Sequence, residues 1–164
     1  MKQGHFIKGN RGFSLIEALI GFFILSIGML GVASLQGVSL KASQASVYGS
    51  VAMMKVEELF ESMRANPTAL TTYAGAGVFG DCSGLNVCSA TQLAADDVYW
   101  WEKNLKAGLP DAATTKVTVI AAVPPSGLAT VQIDVDWAER GKTSTASISR
   151  SYTTTAKICT AVPC

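Results

Sequence analysis

Few side chains in this 164-residue sequence are placed to do chemistry. Its four cysteines fall into two close pairs, Cys82 and Cys88 flanking five residues, Cys159 and Cys164 flanking four. In an oxidising compartment such residues make disulfides, and four cysteines allow three pairings. Cys82 with Cys88 and Cys159 with Cys164 is the expected pairing, each bond closing a short loop and contributing about 2 kcal/mol in the chain-entropy model. Zinc would need C-x-x-C-like spacing, which is absent, so no metal or other cofactor is expected. The sole histidine, His5, excludes most hydrolase triads and His-ligated metal centres. Asp134 and Asp136 alternate with apolar residues and share a strand face, where a paired-carboxylate catalyst competes with the expected reading, a solvated sheet face. The run Gly75-Ala76-Gly77-Val78-Phe79-Gly80 matches G-x-G-x-x-G, yet it follows no strand and opens no helix, so it reads as a turn-rich linker and not as a phosphate cradle. What remains is Glu17, one carboxylate in an otherwise apolar run.

Around Glu17 the composition is lopsided. The chain is 49% hydrophobic and 15% charged, against a usual charged share of about 25%. That excludes a disordered or nucleic-acid-coating protein. Thirteen Lys and Arg against twelve Asp and Glu leave +1, so bulk charge implies no polyanionic partner. Residues 1–12 carry Lys2, Lys8 and Arg11 with no acid, and Ala18 to Leu35 is uncharged over eighteen residues. As a helix that run reaches about 27 Å, close to the hydrocarbon thickness of a bilayer. Only Lys41 and Lys55 follow it closely, so the positive-inside rule keeps the N-terminus cytoplasmic and exports the remainder.

Three readings of such a start compete. A secretory signal peptide could be cut near Val32-Ala33-Ser34, and a plain signal anchor has the same charge pattern. Both leave Glu17 unexplained, because an acid at mid-membrane costs about 2.5 to 3.5 kcal/mol on insertion scales. The third rests on Arg11-Gly12-Phe13-Ser14-Leu15-Ile16-Glu17, which resembles the processing site of type IV pilins and pseudopilins. The resemblance implies that a prepilin peptidase cuts after Gly12 and methylates the new amine of Phe13, and that Glu17 is the motif's glutamate. A carboxylate buried in a bundle of parallel helices is tolerable only beside a cation. The Phe13 amine of a neighbouring subunit is the nearest of that kind, so Glu17 would set subunit stagger.

The resemblance becomes more particular over the stretch from Ser14 to Gln36 and over Glu57-Glu58-Leu59-Phe60-Glu61-Ser62-Met63-Arg64-Ala65-Asn66-Pro67, which is similar to the PilV family of minor type IV pilins. It implies an α+β, type IV pilin-like fold and a structural subunit, not an enzyme. The implied partners are major and minor pilins, the prepilin peptidase, the inner-membrane assembly platform and the lipid bilayer. Such a subunit is stored as a single-pass protein of the bacterial inner membrane with a periplasmic head and is assembled into the extracellular pilus. It contributes to initiation of assembly, twitching motility, adhesion or competence. The alternatives are a type II secretion pseudopilin and, in another class, an anchored periplasmic enzyme. Removal of the leader takes three cations and no acid, leaving ten Lys and Arg against twelve acids, so a nucleic-acid partner is not expected.

The elements that must position these residues follow from periodicity. One helix is predicted from Phe13 to Ala65, membrane-embedded over 13–40. In its second half Ala45, Tyr48, Ala52, Val56, Leu59 and Met63 form a one-sided stripe. Asn66-Pro67 ends it. Residues 68–95 read as a connecting loop. A short helix is expected to begin after Asp96-Asp97 and stop at Gly108-Leu109-Pro110, with Val98, Trp101, Leu105 and Leu109 in the core and Trp100 on another face, part-buried against the long helix or, alternatively, a contact surface. From Lys116 the period becomes two: Val117, Val119 and Ala121, a turn at Pro124-Pro125, then Val131, Ile133, Val135 and Trp137, a turn at Arg140-Gly141-Lys142, and a third run over Ser144 to Thr154. The chain thus divides into a leader (1–12), a membrane or filament-core helix (13–40) and a head (41–164), in which an antiparallel meander lays its apolar face on the helix stripe.

Overall fold

The computed structural model describes residues 13–83, 86–110, 113–122, 126–141 and 146–160. The leader with Gly12, the Pro124-Pro125 turn, Lys142 and Cys164 lie outside them. The chain forms two compact units, divided between Ser43 and Gln44. Helix α1 spans Leu15–Ala65, within two residues of its expected start. Over the part that belongs to the first unit its apolar window, of mean hydropathy 2.3, buries nothing.

The second unit holds the core. Ala52, Val56, Leu59 and Met63 of the expected stripe are buried, joined by Phe60, which the spacing rule had passed over. A stripe drawn strictly at steps of three and four is narrower than the face a helix buries in a globular head. The α-helix ends at Ala65 as Asn66-Pro67 dictates, but residues 68–95 are not simply a loop. The backbone continues as a 3-10 helix over Pro67–Ala74, and helix α2 spans Ala90–Gly108. Its start precedes the expected Asp96-Asp97 because Ser89 and Gln92 form a capping box: the Gln92 amide donates to Ser89 Oγ at 3.3 Å, and the Ser89 amide donates to Gln92 Oε1 at 2.9 Å. Two orphan donors are satisfied there, which fixes the helix start more strongly than acids in the second turn. Val98, Trp101, Leu105 and Leu109 are buried as expected. Trp101 Nε1 donates to the Lys55 carbonyl at 2.7 Å, pinning α2 to the head half of α1.

Three antiparallel strands, β1 (Thr114–Ile120), β2 (Leu128–Arg140) and β3 (Ser147–Cys159), form a sheet in chain order. Val131, Ile133, Val135 and Trp137 of β2 are buried and pack in one cluster with the α1 stripe and the α2 face. The fold is therefore α+β, helix on meander. Arg140 belongs to β2, not to a turn. The third run is a strand from Ser147 that continues past Thr154 to Cys159, and its expected start, Ser144, lies outside the described residues. Buried Ile158, opposite Ala129, extends the apolar beat. Thr160 then donates its amide and its hydroxyl to the Gly127 carbonyl, each at 2.9 Å, closing the end. On the opposite face Asp134 accepts from Thr153 Oγ1 at 2.8 Å and from Gln132 Nε2, while Asp136 is exposed, which is a solvated sheet face.

Candidate assembly interface

The first turn of α1 opens on Ser14, whose carbonyl accepts from the Glu17 amide at 3.0 Å and the Ala18 amide at 3.2 Å. Glu17 is the acid of that turn, on the side where the helix macrodipole favours negative charge. Its carboxylate is exposed and makes no ion pair or hydrogen bond among the described residues. Phe13 is 75% exposed, and Leu15, Phe22, Leu30 and Leu40 point outward in the same way. An apolar surface of this extent in water is unfavourable by roughly 25 cal/mol per Å². The segment therefore requires lipid or other helices around it. Gly12 lies outside the described residues.

In the head, Cys82 and Cys88 are bonded, with Cα atoms 5.7 Å apart. Cys159 is also disulfide-bonded, and its expected partner Cys164 lies outside the described residues. Asp96 and Asp97, expected to open a helix, lie inside α2 instead, where Asp96 anchors this loop and Asp97 the 3-10 helix. Asp96, only 6% exposed, accepts from the Gly80 amide at 2.8 Å and the Cys82 amide at 3.4 Å. Asp97 accepts from the hydroxyl of the fully buried Tyr73 at 2.7 Å. Burial raises the Asp97 carboxyl above the ordinary aspartate value, the Tyr73 hydrogen bond opposes that rise, and the charge of Asp96 adds to it. Burial, and then Asp97, push the Tyr73 phenol well up, so it stays a donor.

The G-x-G-x-x-G run is not a phosphate cradle. Its Val78 amide donates to the Ala95 carbonyl at 2.9 Å and its Gly80 amide to Asp96. Gly77 is glycine because a Cβ there would stand 2.4 Å from the Tyr99 backbone nitrogen. The loop thus lies flush on α2 and carries Phe79 to the Tyr99 and Trp100 rings, with centroids 5.5 and 6.0 Å away. Trp100 is 41% exposed, and the ring contacts it makes are with Tyr99 and Phe79, with Lys103 Nζ 4.4 Å above it. No cluster of three metal-ligating side chains occurs among the described residues. Sequence reasoning missed the roles of Tyr73 and Asp96, whose partners are remote in sequence. The Ser89-x-x-Gln92 signal was readable.

A membrane-length apolar helix with an acid in its first turn leads into a helix-on-meander head, the architecture that the pilin resemblance implies. Residues 7–33 match the prokaryotic N-terminal methylation motif, and residues 34–99 match the family described as type IV pilin Tt1218. The two matches adjoin, and the chain is a type IV pilin, a subunit incorporated into a pilus. No curated relative and no solved structure matches it significantly.

Proposed function

We propose that the chain is a minor pilin of the PilV type, cut by the prepilin peptidase between Gly12 and Phe13 and methylated on the Phe13 amine. The mature subunit waits in the inner membrane, N-terminus cytoplasmic and head periplasmic, with 13–40 as its anchor and 41–164 as its head. It then joins major and minor pilins through the assembly platform. Its role is structural and not catalytic, in pilus initiation, twitching motility and adhesion.

The observation that carries this is Glu17, an exposed carboxylate without a partner among the described residues, in an apolar helix where every large side chain from Leu15 to Leu40 faces outward. In a filament that carboxylate must meet a cation, and the Phe13 amine of the next subunit supplies one. The Met63-Arg64-Ala65-Asn66-Pro67 ending supports the PilV reading. Asn66, 8% exposed, donates through Nδ2 to the Ala90 carbonyl at 2.7 Å and so ties the end of α1 to the start of α2. The test is a Glu17→Ala variant. It should accumulate in the inner membrane and be lost from sheared pili, and incorporation at the wild-type level would contradict the proposal.

A further inference from the structure

The two outer edges of the sheet differ. β1 lies against the 3-10 helix Pro67–Ala74, whereas β3, 13 residues long, has β2 as its only sheet neighbour among the described residues. The β2–β3 register runs one to one from Leu128↔Cys159 to Arg140↔Ser147, so no bulge twists the edge away. Within Ser147–Cys159 there is no proline and the charges are Arg150 and Lys157 alone. A long, straight edge with no proline or bulge and only two charges along 13 residues presents a row of main-chain donors and acceptors suited to an added strand. Thr160, bonded twice to the Gly127 carbonyl, holds one end of that edge in place.

A second copy does not fit the edge. An antiparallel β3–β3 pair is related by a twofold axis normal to the sheet, which reverses the segment of α1 packed on it. Subunits drawn from one membrane into one polar filament run the same way. A parallel pair needs a twofold axis along the strand, which turns the apolar faces of the two sheets to opposite sides of the joint layer, so the two cores do not continue one another. We infer that the β3 edge receives an extended strand of a different polypeptide in the pilus. On the face of half-buried Tyr152, Thr154 and Ala156 that strand continues the apolar layer. On the other face, with Ser149, Ser151, Thr153 and Thr155 around Lys157, it is polar and carries an acid opposite Lys157. This rests on the filament reading for the common polarity of subunits and for the pilus as the place where the partner strand is met.

Hydrogen exchange on the full chain tests it, comparing sheared native pili with the detergent-solubilised subunit. In the solubilised subunit every second β3 amide, the set facing away from β2, exchanges fast. In pili the same set should slow by about 100-fold or more, as amides in a sheet ladder do. Thr153→Pro and Thr154→Pro serve as a pair, since adjacent amides face opposite ways. Whichever keeps the wild-type melting temperature has lost only an outward donor, and it should reach pili with the β3 protection lost. Unchanged exchange in pili overturns the inference. So does a disulfide-linked dimer of this chain formed by Thr153→Cys in membranes, because that places a second copy on the edge. Absence of the wild-type chain from pili defeats the filament reading and the polarity argument with it.

Discussion

The Tyr73 hydroxyl donates to Asp97 Oδ2 at 2.7 Å while lying 3.1 Å from the Ser62 carbonyl, so one buried phenol joins the 3-10 helix, the last turns of α1 and α2. Tyr73→Phe removes the only side-chain donor to Asp97 among the described residues and should destabilise the head by about 1 kcal/mol, the low end of the penalty for orphaning an acceptor because Asp97 is only half-buried. Urea unfolding at neutral pH checks this.

Asp97 also gives the head a pH dependence of definite sign. Its carboxyl is raised in the folded state by burial first, so its contribution to stability is full below the unfolded aspartate pKa of about 3.9. That contribution is lost as pH rises through the higher folded value. Asp97→Asn should therefore gain on the wild type between acid and neutral pH. Parallel stability profiles for the two proteins would contradict the assignment.

The disulfide and Asp96 hold the same loop from two sides. Replacing Cys82 and Cys88 together by serine should cost about 2 kcal/mol by freeing a short loop in the unfolded chain. Asp96→Ala, which strands the Gly80 and Cys82 amides, should cost about 2 kcal/mol or more. Asp96→Asn, which keeps an acceptor, should cost less. Because the two devices share the loop, the combined variant should fall short of additivity in a double-mutant cycle.

Two glycines of the head separate packing from helix propensity. At Gly77 an added methyl meets the Tyr99 main chain at 2.4 Å, where nothing can yield, so Gly77→Ala should lower stability by about 2 kcal/mol or more. At Gly49 nothing lies within 4 Å, so Gly49→Ala should be neutral or stabilising by up to about 1 kcal/mol. Thermal melts of the pair check both signs.

The parts of this fold that repeat along the chain were legible in the sequence. The helix stripe ending at Met63, the Asn66-Pro67 stop and the alternation from Val131 to Trp137 are each set by neighbours within a few residues. The Cys82–Cys88 bond was legible from spacing. Contacts that join remote segments were not. Nothing local to Asp96 says that it will accept the Gly80 and Cys82 amides, and nothing local to Tyr73 names Asp97. The start of α2 was misplaced for another reason, since two adjacent acids outweighed the Ser89-Gln92 box that in fact satisfies the helix amides. At the assembly end, Glu17 stood out because an unpaired acid in an apolar run is costly wherever it is placed.

The account depends on the chain's being a processed subunit whose new amine faces a neighbour's carboxylate. Mass spectrometry of the N-terminal peptide from sheared pili tests this most directly. The expected species begins at Phe13 and carries one methyl group on its amine; a chain beginning at Met1 or at Leu35 would contradict the account.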